Sequence, residues 1–202
     1  MKGGPRYNLP FRRRRERRTD YKSRRALVSS RLPRLVVRGT NKHMTVQLIE
    51  AHPTGDKILA SANSMELVKK YGWRFHCGNV PSAYLTGLLV GLKAKGRGFS
   101  KAVLDMGLRK TSSGSRTFAT LKGAVDSGMD ISHDEKIFPD ETRLRGEHIV
   151  NYAKILVKDH EAYAKSFSTY IAAGVKIEEL PKHFEETKSR ILQATVSVVK
   201  SN

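Results

Sequence analysis

Between Phe11 and Arg25 the chain carries Arg12, Arg13, Arg14, Arg15, Arg17, Arg18, Lys22, Arg24 and Arg25, offset only by Glu16 and Asp20. Each guanidinium is a planar fork of donors that matches phosphate oxygens and stacks on bases, and Tyr7, Phe11 and Tyr21 add flat surfaces among them. The chemistry this spacing serves is capture of a polyanion. A second set lies in the loop Leu108 to Arg116, where Arg109, Lys110 and Arg116 alternate with the hydroxyls of Thr111, Ser112, Ser113 and Ser115 and no acid intervenes. Hydroxyls and amides at a helix start favour phosphate oxygens. An ordinary flexible surface loop would look the same. Lys93, Lys95, Arg97 and Lys101 form a third positive stretch.

Bond-making chemistry finds little support. There is no GxxxxGK[ST] loop, no GxGxxG after a strand and no HExxH. Cys77 beside His76 is a poor nucleophile and base, because adjacent side chains rarely face one another; a packed thiol is the ordinary reading. Asp126, Asp130, Asp134 and Glu135 form the one acidic cluster worth testing as a metal site. Their spacing fits no calcium loop and His133 lacks a second histidine at ligand distance, so a solvated turn and no metal or cofactor are expected. A metal-dependent nuclease needs carboxylates converging from several strands. The first strand offers only Arg34 and Arg38, with Asp105 alone at the end of the fourth.

Over 202 residues, 38 Lys and Arg stand against 19 Asp and Glu, a formal charge of +19. The excess is +12 up to Arg38, +8 from Gly39 to Ser127, and −1 thereafter. Charge clustered in this way points to nucleic acid or an acidic surface. Like charges at the density of the first segment repel, and little apolar surface accompanies them, so the free arm is expected to be disordered or only partly helical. A nuclear-import signal or a solvated tail would share that composition. No apolar run approaches a membrane span and the first ten residues lack a secretory core, so no membrane is expected and an intracellular location is.

The elements that must position these cations follow Pro33. Arg34 to Arg38, His43 to Glu50 and Lys57 to Ala62 read as strands of an antiparallel meander, with a turn at Pro53-Thr54-Gly55-Asp56. Asn63 and Glu66 form a capping box for a short helix ending at Gly72. Asn79 and Pro81 open the strongest helix, with Leu85, Leu88, Leu89 and Leu92 on one face and Gly96 expected as its left-handed cap. Gly87 and Gly91 on that helix predict close packing against the sheet. Lys101 to Asp105 is a fourth strand, and a helix from about Arg116 to Ser127 follows. From Glu141 the pattern is helical, with apolar stripes Ile149/Tyr152/Leu156, Tyr163/Phe167/Tyr170 and Phe184/Ile191/Val198. The class is α/β, with a basic extension over 1–33, a sheet-and-helix core over 34–130 and a mostly helical extension over 131–202.

Five stretches carry a resemblance. Phe11-Arg-Arg-Arg-Arg-Glu16 with Thr19-Asp20-Tyr21, Val37-Arg-Gly-Thr-Asn-Lys42, Tyr84-Leu-Thr-Gly-Leu-Leu89, Leu104-Asp-Met-Gly-Leu108 and Leu121-Lys-Gly-Ala-Val-Asp126 run in order along most of the chain. Together they are similar to the large-subunit ribosomal proteins that bind 5S rRNA, the archaeal "L eighteen" type and its eukaryotic counterpart "L five". The resemblance implies a ribonuclease-H-like mixed sheet with flanking helices and a non-enzymatic role in the cytoplasmic large subunit, in the central protuberance. It implies 5S rRNA, 23S rRNA and neighbouring ribosomal proteins, including the archaeal "L five" type, as partners. Carried over by position, Arg12 to Arg15, Arg17, Arg18, Tyr21, Lys22, Arg24 and Arg25 contact 5S rRNA, followed by Arg38, Asn41 and Lys42. Arg109, Lys110, Thr111 and Arg116 belong to a matching motif on RNA. The competing expectations are the nuclease and a basic-arm DNA regulator.

Overall fold

The computed structural model describes residues 4–110 and 112–199, with side chains described as far as residue 194. Thr111 and the Val198 side chain therefore lie outside the described residues.

The arm carries two short helices, α1 (Arg12–Arg15) and α2 (Tyr21–Ser29). A meander follows, made of β1 (Arg34–Gly39), β2 (Met44–Glu50) and β3 (Lys57–Asn63), then α3 (Ser64–Tyr71) and α4 (Val80–Lys95). β4 (Lys101–Asp105), α5 (Arg116–Asp126) and β5 (Asp130–Ile131) complete a five-stranded mixed sheet in the order β3-β2-β1-β4-β5. The first three strands pair antiparallel; β4 lies parallel to β1, and β5 parallel to β4. β5 straddles residue 130, and its Ile131 belongs to the core. The tail adds α6 (Glu141–Arg145), α7 (Glu147–Leu156), α8 (His160–Ala172) and α9 (Leu180–Val199).

Side chains alternate across a strand, so the two faces of the sheet differ in character. Leu35, Val37, Val46, Leu48, Ala60 and Ala102 turn to the helices and are buried. Arg34, Val36 and Arg38 turn the other way, where the arm lies. The capping box of α3 forms as expected: Asn63 accepts from the Met65 amide, Glu66 accepts from the Asn63 amide, and Gly72 takes the left-handed position.

Helix α4 is apolar on nearly every side and is the centre of the core. Its glycines pack against a helix, not against the sheet as their spacing had predicted. A methyl group at Gly87 would strike the Thr120 carbonyl, one at Gly91 the Ser127 hydroxyl, and one at Gly123 of α5 the Tyr84 carbonyl. Three glycines thus bring two backbones together, and the Tyr84 hydroxyl donates to Asp126 at 2.8 Å across the same seam. Gly96 stays right-handed (φ −62°); the left-handed turn falls at Gly98 (φ +83°), and the Phe99 amide reaches back to the Ala94 carbonyl. We expect Gly123→Ala to destabilise the protein by about 2 kcal/mol or more in urea unfolding, because overpacking outweighs the roughly 1 kcal/mol that alanine gains in helix propensity.

The tail closes on the body. Phe167 is buried between Tyr163 and Tyr170, with ring centroids 5.2 and 6.1 Å apart, and the Tyr170 hydroxyl accepts from the His76 amide. On α9, Phe184 meets Tyr84 at 5.6 Å and Ile191 is fully buried. On α7, Ile149 and Leu156 of the expected stripe pack against the core, but Tyr152 is 52% exposed, and Val150 and Ala153 are the buried residues between them.

Candidate nucleic-acid interface

The four arginines of α1 are all exposed. Successive residues turn through about 100° on a helix, so they radiate around the axis and a ligand must wrap α1 to meet them all. Arg12 and Arg18 share Glu16 at 2.7 and 3.3 Å, and Arg13 Nε donates to the Thr19 hydroxyl at 2.9 Å. Arg17 holds the turn behind them at φ +51°. Asp20 caps α2 by accepting from the Lys22 and Ser23 amides and from the Ser23 hydroxyl, and these bonds, the hydroxyl's foremost, hold its carboxyl below the usual range. Phe11 packs on Tyr21 at 5.3 Å but stays 72% exposed, which leaves a face free for stacking. Lys22 and Arg25 point to solvent.

Between this arm and the sheet runs a groove of about 520 Å³, with Arg13, Arg18 and Arg24 on one side and Arg34, Arg38 and Gln47 on the other. Its floor is an ionic chain. Arg24 reaches Asp56 Oδ1 at 2.9 Å, Arg34 reaches Asp56 Oδ2 at 2.8 Å and Asp105 Oδ2 at 2.9 Å, and Arg38 reaches Asp105 Oδ1 at 3.0 Å. Arg34 and Asp105 are only 3% and 6% exposed. Asp105, which the sequence leaves standing alone, therefore has both first-strand arginines as partners. In the sequence Asp56 marks only a turn, and an acid in a turn carries no signal that it will meet two arginines.

The second cluster surrounds the turn after β1. Asn41 and Lys42 are exposed there. Arg116 donates through Nη1 to the Thr40 and Gly78 carbonyls at 2.9 and 2.7 Å, so this cation also clamps the turn to the start of α4. A methyl group at Gly78 would strike the Asn41 carbonyl, which shows how tightly the two loops meet. The Arg109 guanidinium lies beside Gly39, and Lys110 is exposed. His43 and His76, neither of which the sequence marks as part of a cationic site, join this cluster; burial first, then the charges of His43, Arg116 and Lys42, pushes the His76 pKa down. Arg38, near the end of β1, lines the groove and lies two residues before Thr40, whose carbonyl Arg116 holds.

The model of the family described as ribosomal large subunit proteins 60S L5 and 50S L18 matches residues 5–99 and 93–134. The chain belongs to that family. Membership makes it a ribosomal protein of the large subunit, with the RNA-binding, ribonucleoprotein and translation roles this implies, and the family's complex is cytoplasmic. Both cation clusters fall within the matched residues; α6 to α9 follow them.

For this L5/L18-family chain the residues weighed for catalysis have other occupations. Asp126 holds Lys122 at 2.9 Å and the Tyr84 hydroxyl, Asp130 lies 3.7 Å from Lys101, and Asp134 caps the turn at Glu135–Ile137. Among the described residues no three His, Cys, Asp or Glu side chains gather into a metal-binding set. Cys77 is buried against the Ser64 carbonyl, and burial pushes its thiol pKa up; His76 Nδ1 accepts from the Gly78 amide and not from the thiol. Membership in a family of ribosomal structural proteins implies a non-enzymatic role. No described helix is long and apolar enough to cross a membrane.

Proposed function

We propose that this chain binds 5S rRNA and anchors it to 23S rRNA in the central protuberance of the large subunit. The observation that carries the reading is the pair of cation clusters, one in the arm and its groove and one at the β1 turn, both inside the residues the family matches. Arg12 to Arg15, Arg17, Arg18, Lys22, Arg24 and Arg25 supply phosphate contacts from the arm, with Tyr21 and Phe11 as stacking surfaces. Arg38, Asn41, Lys42, Arg109, Lys110 and Arg116, around the end of β1 and from the loop after β4 to the start of α5, add further RNA contacts, and Thr111 belongs to the same set by its place in the sequence. Attraction is electrostatic, and specificity comes from RNA shape and splayed bases. The stretch of the arm ahead of α2 orders on the RNA, as its composition favours.

The ribonuclease-H-like description of the core and the division at 1–33, 34–130 and 131–202 belong to the same reading, and the strand order β3-β2-β1-β4-β5 supports it. The charge-balanced tail faces protein neighbours, the archaeal "L five" type among them. Exposed Tyr152, Ile155, Val157 and Ile171 support that assignment.

The test is direct competition. Labelled 5S transcript bound by the purified protein is challenged with unlabelled 5S transcript and with duplex DNA of equal length. The reading expects the transcript to displace the label at far lower concentration. Equal displacement by duplex DNA would sink it and favour a basic-arm DNA regulator.

A further inference from the structure

Arg24–Asp56 is, among the described residues, the ion pair that joins the arm to the body. Asp56 sits in the turn between β2 and β3. Its second oxygen receives Arg34 at 2.8 Å, and Arg34 is itself fixed by Asp105 at 2.9 Å within the sheet. The carboxylate is therefore held on its inner side by a buried cation and offers its outer oxygen to α2. An acid in this place is electrostatically costly for a face that binds a polyanion, since it subtracts from the attraction.

A nine-residue helix such as α2 is too short to persist alone in water, where about 12–15 residues are marginal. It therefore needs a tertiary anchor. Asp20 supplies its cap, Leu27 and Val28 are half-buried, and Asp56 supplies the charged contact. We propose that Asp56 is a positioning residue that docks α2 on the open face of the sheet before RNA arrives. Docking fixes the point on the sheet from which the arginine-rich stretch extends, so that RNA has to order only the residues ahead of α2. Affinity rises because that ordering cost is already met. The consequence for RNA rests on the 5S rRNA reading above; the docking itself does not.

The full-length free protein is compared with Asp56→Asn and Arg24→Gln by hydrogen exchange, and wild type and Asp56→Asn are titrated with 5S transcript. In the free protein, amides of residues 21–29 exchange about fivefold faster in both variants, the scale of a partly exposed ion pair. In Arg24→Gln the Asp56–Arg34 and Arg34–Asp105 contacts remain, so exchange in β1 and β4 is unchanged. Asp56→Asn removes a negative charge, and simple attraction would make it bind RNA more tightly; docking predicts binding about fivefold weaker. Residues 21–29 exchanging at unstructured rates in wild type would overturn the proposal, and so would Asp56→Asn binding as tightly as wild type or more so. Should Asp56→Asn disturb the body, Arg24→Gln decides: unaltered exchange in 21–29 refutes docking. If the wild-type protein ignores 5S transcript altogether, the functional reading fails while the exchange result still decides the docking.

Discussion

Replacing Arg12, Arg13, Arg14 and Arg15 together with alanine is expected to weaken 5S rRNA binding about a hundredfold at 50 mM salt and to flatten its salt dependence. Each phosphate contact contributes roughly 0.7 to 0.9 to the slope of log K against log salt, so four lost contacts lower it by about 3. The gap between variant and wild type is then widest in dilute buffer and narrows by roughly sixtyfold at 200 mM. Circular placement of the four side chains about α1 makes the loss cumulative, since no single phosphate row meets them all. Filter-binding titrations across that salt range read both quantities. A variant that loses affinity with an unchanged slope would mean that α1 acts through shape and not through charge.

Asp105→Ala is expected to cost about 3–5 kcal/mol of stability, because it strips the buried Arg34 of one carboxylate and leaves a cation at 3% exposure poorly matched. The same carboxylate also accepts from the Gly107 amide and from Arg38, so the loop after β4 loosens with it. Because the cost comes from the orphaned charge, the paired change Arg34→Met with Asp105→Leu is expected to recover most of the loss. Urea midpoints of the two variants check this. A double variant no more stable than Asp105→Ala would locate the loss in packing.

Much of the core was legible because its signals are local. The meander, the capping box at Asn63 and Glu66, and the Asn79-Pro81 start of α4 each depend on residues a few positions apart, and each forms where expected. What escaped depends on register across long separations. Arg34 and Asp105 meet only because β4 lies parallel to β1 with Val36 opposite Asp105. Gly87 and Gly91 announce close approach without saying to what, and Gly123 on α5 is the missing half of the message. β5, at two residues, has no periodicity to detect. In the interface, the arm's cations are visible as composition, whereas the acids that organise them, Asp56 and Asp105, look idle until the sheet is assembled.

The central claim is that these cation clusters carry one structured ribosomal RNA. It is tested most directly by recovering the protein from cells under gentle salt and sizing the nucleic acid that comes with it. A single RNA co-migrating with 5S rRNA, lost when Arg12 to Arg15 are alanine, is the predicted result. Heterogeneous nucleic acid with no 5S band would contradict the account.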